Sequence, residues 1–272
     1  MKTILITGTT DGIGLETARQ LGAQGHRLLL HGRTFEKTQR TIEELRAQQT
    51  DLSAEPVFGD LSDMRQVLQL AEQVKEKAPV LDVLLNNAGV FENERRITPD
   101  GLELTMAINH FAPFLLTHAL LDRVKAAAQG RVISVSSIAH QGGQLDLEDL
   151  TFKRSFSGYD AYCTSKLANI LFTVALAQRL KGSAVTANCL HPGVISTKLL
   201  HSGFGIGGAS VAEGARTSVY LATAEEIGTV TGEYFIDSHP ATPSATARDT
   251  SLAEAFWQTS VELLHPFLSA ND

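Results

Sequence analysis

Short apolar runs alternate with longer amphipathic stretches from the first residues to about residue 237. The runs Thr3–Thr7, Arg27–His31, Pro56–Phe58, Asp82–Asn86, Arg131–Ser136, Val185–Leu190 and Glu233–Ile236 predict strands. Segments near 12–24, 34–48, 62–77, 101–128, 159–181 and 211–223 carry the apolar spacing of helices, and a last helix is expected at 249–267. Runs such as Val83-Leu84-Leu85 are apolar at every position, which suits strands covered on both faces. Parallel strands need crossovers, and the intervening helices supply them. The pattern predicts an α/β fold in one domain over residues 1–272: a doubly wound, mostly parallel sheet of seven strands with helices on both faces.

Composition narrows the setting. The chain has 272 residues, 43% hydrophobic and 19% charged, with a net charge of −7 and no dense basic run. Nothing invites nucleic acid or an anionic membrane surface. Two cysteines, Cys163 and Cys189, form neither a metal-type spacing nor a disulfide framework. Phe111–Leu121 is the longest apolar stretch, short of the roughly 18 residues a span needs. With no leader or membrane anchor read at the start, the expectation is a cytoplasmic protein.

The first strand runs into Thr7-Gly8-Thr9-Thr10-Asp11-Gly12-Ile13-Gly14, and a helix follows. Glycines there let the backbone turn and approach a pyrophosphate, while the helix N-terminus offers N–H groups to the phosphates. A tight structural turn would also use glycine. The position between strand and helix, opening a βαβ unit, points instead to the dinucleotide site of a Rossmann-type fold, with Gly8, Thr10, Asp11, Gly12, Ile13 and Gly14 as contacts. The second strand ends in His31-Gly32-Arg33, without the carboxylate that would hold the ribose 2′-hydroxyl of NAD. Arg33 is placed to pair with a 2′-phosphate, so NADP(H) is the preferred cofactor and NAD(H) the alternative. Read blandly, Arg33 is a solvated loop charge. Asp60 and Leu61 are placed for the adenine end, although Asp60 could equally cap the next helix.

These segments occur in series with Asn86-Asn87-Ala88-Gly89, Ser137, Tyr162-Cys-Thr-Ser-Lys166 and Pro192-Gly193. Their order and spacing resemble the short-chain dehydrogenase/reductase family over almost the whole chain. Within it, Asn109-His-Phe-Ala-Pro-Phe-Leu-Leu-Thr117, Ala161–Phe172 and Ala245-Thr-Ala-Arg-Asp249 resemble the retinol dehydrogenase and WW-domain oxidoreductase group. The resemblance implies hydride transfer between a nicotinamide and an alcohol or carbonyl, on lipophilic substrates such as retinoids, steroids or xenobiotics. It assigns Asn109, Ser137, Tyr162 and Lys166 as the catalytic set, Asn109 holding a water for proton relay. It places Asn87, Ala88 and Gly89 beside the adenosine side, Asn87 mainly as support. Backbone near Ile195 and the Thr197 hydroxyl, after Pro192 and Gly193, would hold the carboxamide. Family members also associate through the two long helices, so a homo-oligomer through 101–128 and 159–181 is the corresponding expectation.

The chemistry of that set stands without the name. Tyr162 and Lys166 are four apart and share one face of a helix. An ammonium beside the phenol, with the cationic nicotinamide, would bring its pKa down from about 10 toward the working pH. Ser137 would hydrogen-bond the same substrate oxygen, and since strand neighbours alternate, Ser136 must face away. Nine histidines show no HExxH or paired Cys/His spacing, so no metal is expected. The span between Ser137 and Tyr162 carries Asp146-Leu-Glu-Asp149 and is read as a surface excursion beside the substrate mouth. The glycine-rich stretch 198–210, flanked by Leu199, Leu200 and Phe204, is read as a lid over a small-molecule pocket. An NADP(H)-binding regulator with little turnover is the alternative in a different class.

Overall fold

The computed structural model describes residues 1–204 and 207–268. Its sheet has eight strands: β1 Thr3–Ile6, β2 Arg27–Gly32, β3 Ala54–Phe58, β4 Val83–Asn86, β5 Arg131–Val135, β6 Thr186–His191, β7 Tyr234–Ile236 and β8 His239–Ala241. They lie in the order β3-β2-β1-β4-β5-β6-β7-β8. The first seven are parallel and β8 returns antiparallel on β7.

β8 is one strand more than the apolar pattern predicts, and its sequence explains the difference. Asp237 and Ser238 both take positive φ, 49° and 64°, which closes a two-residue hairpin whose backbone twist matches the strands. Pro240 sits in β8 without disrupting the sheet, because an edge strand can spare one N–H donor.

Helices α1 Gly12–Ala23, α2 Phe35–Gln48, α3 Met64–Lys77, α4 Leu104–Met106, α5 Ala112–Lys125, α6 Gly158–Arg179, α7 Lys198–Phe204, α8 Val211–Thr223 and α9 Thr250–Leu268 complete the fold. Consecutive residues of one strand feed opposite cores. Leu5, Leu29 and Leu84 pack on the side of α3, α5, α6 and α9, while Ile4, Ile6, Leu28, Leu30, Val83 and Leu85 pack on the side of α1, α2 and α8. That is why these strands are apolar throughout.

The helix expected over 101–128 is interrupted. Ala107–Phe111 forms a π-helical turn between α4 and α5. Pro113 follows Asn109 by four residues and has no N–H, so the ordinary helical bond to the Asn109 carbonyl cannot form. The stretch Leu104–Lys125 is long and apolar enough to cross a membrane, yet it is mostly buried within the fold.

Helix α9 lies across α6 and α5. The Trp257 ring stacks on Phe172 at 4° and 5.8 Å, meets Phe114 at 4.7 Å, and lies under the Arg179 guanidinium at 4.1 Å. His110 joins the contact, 4.5 Å from the Phe256 ring and 3.0 Å from Ser260 Oγ. The chain's own last helix thus covers the helix pair expected to carry a contact between copies.

β1 stands between β2 and β4, so chain direction across the sheet reverses there. Crossovers leave on opposite faces at this point and a crevice opens beyond the carboxyl ends of the strands.

Candidate active site

The crevice is a cleft of about 1150 Å³. Of the residues singled out in the sequence, Gly8, Thr10 through Gly14, Arg33, Asp60, Leu61, Asn87, Ala88, Gly89, Ser137, Tyr162, Lys166, Pro192, Gly193, Ile195 and Thr197 all line it. Asn109 stands one layer behind.

Glycine at the β1–α1 turn is required by space and by backbone. Gly8 and Gly12 take φ of +70° and +57°, and a Cβ on Gly8 would come within 2.9 Å of the Ala88 Cα. A Cβ on Gly14 would fall on the Gly8 carbonyl oxygen and on Asn87 Nδ2. Asn87 Nδ2 donates to the Thr7 and Gly8 carbonyls at 2.8 and 3.2 Å, tying the turn to the end of β4. Asp11 occupies the N-cap position of α1 but makes no capping bond. Its carboxylate pairs instead with Lys198 at 3.0 Å. The first N–H groups of α1 therefore face the cleft uncapped, and a diphosphate fits this cradle in shape and charge.

His31, which the sequence reading passed over, organises the neighbouring end. Its Nδ1 accepts the Gly8 N–H at 3.2 Å, so Nε2 carries the proton and donates to the Gly59 carbonyl at 2.9 Å. Burial pushes its pKa down to about 4, which keeps the ring neutral. Arg33 and Asp60 follow these two anchored segments and pair at 3.6 Å at the exposed mouth. Asp60 Oδ1 also accepts from the backbone and hydroxyl of Ser62, while the helix cap at α3 is Asp63.

At the other end, β5 delivers two serines with opposite facings. Ser136 Oγ donates to the Lys166 carbonyl at 2.7 Å, inside the fold. Ser137 opens a 3-10 turn, Ile138–Gly142, and its hydroxyl bonds the Tyr162 phenol. Helix α6, started by a Ser157 cap, carries Tyr162 and Lys166 one turn apart, both almost wholly buried. Lys166 Nζ donates to the Val135 carbonyl at 3.1 Å and lies 5.5 Å from the Tyr162 ring centre.

The electrostatics differ from the expectation in one respect. Burial pushes the Tyr162 phenol up to about 12, its hydrogen bond with Ser137 being the opposing influence. Burial likewise pushes the Lys166 ammonium down to about 8. Burial therefore keeps the phenol protonated in the protein by itself, while the Lys166 ammonium is directed at a strand carbonyl.

Asn109 is fully engaged by its own chain. Its Oδ1 accepts the Val90 N–H at 2.8 Å, and its Nδ2 donates to the Val90 carbonyl at 3.0 Å and Ser165 Oγ at 2.9 Å. It pins the segment after Gly89 against α6. A Cβ on Gly89 would stand 3.3 Å from Lys166 Nζ, so glycine lets the chain pass close to the ammonium.

The wall beside Tyr162 is apolar. Phe91 lies 5.4 Å from the Tyr162 ring and faces Gly203 of α7, where a Cβ would come within 2.8 Å of the ring. Ile138, Tyr159 and Val194 are large, exposed and apolar, and all three line the cleft with Leu199 and Leu200. Of the stretch 198–210 read as a lid, Gly205, Ile206 and the side chains of Ser202 and Phe204 lie outside the described residues. The acidic excursion folds about Arg154, which pairs with Asp146 at 2.8 Å and Glu148 at 3.1 Å. Among the described residues no group of His, Cys, Asp or Glu could hold a metal ion.

A glycine-cradled crevice at a sheet reversal, with a buried Tyr–Lys pair and a serine at its far end, defines a dinucleotide-dependent oxidoreductase. The short chain dehydrogenase family profile matches residues 2–204. Retinol dehydrogenase 12 of Homo sapiens is 39% identical over 272 residues, covering 97% of this chain and 86% of that protein. Retinol dehydrogenase 13 of Homo sapiens is 37% identical over 279 residues, covering 97% and 84%. Among solved structures, a protein from Mycobacterium Paratuberculosis superposes with a TM-score of 0.82 at 32% identity, over 97% of this chain and 94% of that one. A short chain dehydrogenase from Shigella flexneri 2a, complexed with NADP, superposes with a TM-score of 0.70 at 25% identity, over 88% and 97%. The chain belongs to the short-chain dehydrogenase family, in its retinol dehydrogenase group, and is an oxidoreductase of CH–OH groups.

Proposed function

We propose that this protein interconverts an alcohol and an aldehyde or ketone on a lipophilic small molecule, with NADP(H) as its cofactor. The observation that carries the reading is the Ser137 hydroxyl beside a buried Tyr162 and Lys166, in the cleft that also holds the glycine cradle. The nicotinamide, when bound, supplies or accepts the hydride. Tyr162 gives its proton to the carbonyl oxygen in reduction and takes it back from the alcohol in oxidation. Ser137 donates a hydrogen bond to that oxygen and fixes its place. Lys166 would grip the nicotinamide ribose, and its charge would ease the phenol toward ionisation once a cationic ring is present. The Asn109 carbonyl, without a helical donor at Pro113, is suited to hold a relay water.

Support for NADP(H) comes from Arg33 at the end of β2, with no carboxylate there, from Lys37 lining the same end, and from the Shigella flexneri relative complexed with NADP. Retinol is the alcohol in the names of the curated relatives, and the apolar wall of Phe91, Ile138, Tyr159 and Val194 suits a substrate of that character. The stretch 198–210 would act as its lid, in a single-domain enzyme of the cytoplasm.

The test is fluorescence titration with NADPH and NADH, followed by NADPH oxidation with retinaldehyde, 4-nitrobenzaldehyde and a steroid ketone. Tighter NADPH binding, with turnover lost in Tyr162→Phe, supports the reading. Tight NADPH binding without turnover of any carbonyl would favour a regulator, and failure to bind either nucleotide would overturn the proposal.

A further inference from the structure

The turn that carries Ser137 is held from behind by a histidine outside the cleft. The Ser137 carbonyl accepts twice from His140, from its backbone N–H at 3.2 Å and from ring Nδ1 at 2.7 Å. The opposite ring nitrogen, Nε2, accepts the Ser244 N–H at 3.1 Å. Each nitrogen has one role, so the ring is the neutral Nδ1–H tautomer. Burial, which lowers the pKa of His140, keeps it so. The ring is almost fully buried and stands edge-on to Tyr234 at 5.1 Å.

Both ends of this bridge are anchored to the helix that carries Tyr162. On one side the turn lies flat on α6: a Cβ on Gly143 would come within 2.7 Å of the Cys163 carbonyl and 2.9 Å of the Leu167 Cβ. On the other, Ser244 Oγ accepts the Ala247 N–H at 3.3 Å and starts the short 3-10 turn Thr246–Arg248. Ala247 is fully buried there as part of the core that α6 and α9 share.

We propose that His140 is a positioning residue for Ser137: its ring Nδ1–H, aimed by the bond that Nε2 accepts from the Ser244 amide, holds the Ser137 carbonyl and so keeps the hydroxyl in register with the Tyr162 phenol. The inference rests on the reading of Ser137 as the group that binds the substrate oxygen. Catalytic hydrogen bonds are sensitive to displacements below an ångström, whereas cofactor binding at the glycine cradle does not depend on this turn.

The test compares His140→Leu, His140→Asn and His140→Gln in wild-type and Ser137→Ala backgrounds. Asn keeps a donor where Nδ1 stands, Gln reaches toward Ser244 only, and Leu does neither. Turnover of 4-nitrobenzaldehyde with NADPH is expected to fall roughly tenfold to a hundredfold in kcat for Leu and Gln, with KM and the NADPH Kd nearly unchanged. Asn is expected to recover most of kcat, and none of the three to lower it further in Ser137→Ala. A second readout needs no substrate. With 3-fluorotyrosine incorporated, the ¹⁹F resonance of Tyr162, assigned through Tyr162→Phe, is expected to shift in Ser137→Ala and likewise in His140→Leu, but not in His140→Asn. If Ser137→Ala changes neither kcat nor that resonance, the reading of Ser137 fails. If Ser137→Ala changes both while the His140 variants act equally in the two backgrounds, or while Asn is as impaired as Leu, His140 is merely structural and the proposal is overturned.

Discussion

The Lys166 ammonium is held by the Val135 carbonyl at 3.1 Å, a bond it shares with Asn169 Nδ2 at 3.2 Å. A cation in this position, almost fully buried, is costly, and the lowering of its pKa from 10.5 to about 8 expresses that cost. The unfolded chain binds the proton more tightly, so stability rises with pH between about 8 and 10.5 rather than falling. Replacing the charge removes the cost below that window. Lys166→Met is therefore expected to abolish turnover yet raise unfolding free energy at pH 7 by up to about 3 kcal/mol. Denaturant melts at pH 7 and pH 9.5 check this, with the advantage of the variant shrinking at the higher pH. A variant less stable than wild type at pH 7 would refute it.

Asn109 acts through three hydrogen bonds to its own chain, two of them to Val90. Asn109→Asp keeps size and shape but turns the Nδ2 donor into an acceptor facing the Val90 carbonyl. The expected loss is about 3 kcal/mol of stability, together with a lower kcat as Gly89 and Val90 move from Lys166. Urea unfolding reads the first and steady-state kinetics the second. Wild-type stability in this variant would show that the pinning is dispensable.

The first seven strands and the glycine turn were legible in the sequence because each depends on neighbours in the chain: apolar runs for the strands, glycine between strand and helix for the turn. Tyr162 and Lys166 were legible for the same reason, four residues apart on one helix. β8 was not, since Pro240 and the Asp237-Ser238 turn read as loop until a partner strand is known. The π-turn at Asn109 had a readable signal in Pro113, four residues on, but only if the helix was already assumed. His31 and His140 left no local pattern at all. His140 meets Ser244 across 104 residues, and nothing in either segment points to the other. The rise of the Tyr162 pKa in the protein alone was not legible, because it comes from burial of the phenol, which the four-residue spacing to Lys166 does not show.

Arg33 is mostly exposed and its Nε stands 3.6 Å from Asp60, near enough to be steered by the carboxylate and free to meet a phosphate. Arg33→Ala is expected to raise the Kd for NADPH about tenfold or more, through loss of a charge-assisted contact, while the Kd for NADH changes little. Fluorescence titration with both nucleotides at two salt concentrations decides it. Equal weakening of the two would mean that Arg33 senses the diphosphate rather than the 2′-phosphate.

Helix α9 packs on the face of α5 and α6. On α5, only His118, Asp122 and Lys125 remain exposed, and on α6 only Tyr159, Asp160, Gln178 and Arg179 at its ends. Apart from Tyr159, this remnant is polar, and it offers little apolar surface for a stable contact between copies. Light scattering is expected to give a mass near 29.3 kDa at micromolar concentration. Trp257 reports on the same contact, because it is the chain's one tryptophan and lies between Phe172, Phe114 and Arg179. Trp257→Ala is expected to destabilise the fold by about 3 kcal/mol, and truncation before Thr250 to cause association through the uncovered aromatic surface. A full-length dimer that persists unchanged after that truncation would place the contact between copies elsewhere on the molecule. A full-length dimer that the truncation abolishes would mean that α9 builds the interface instead of occupying it.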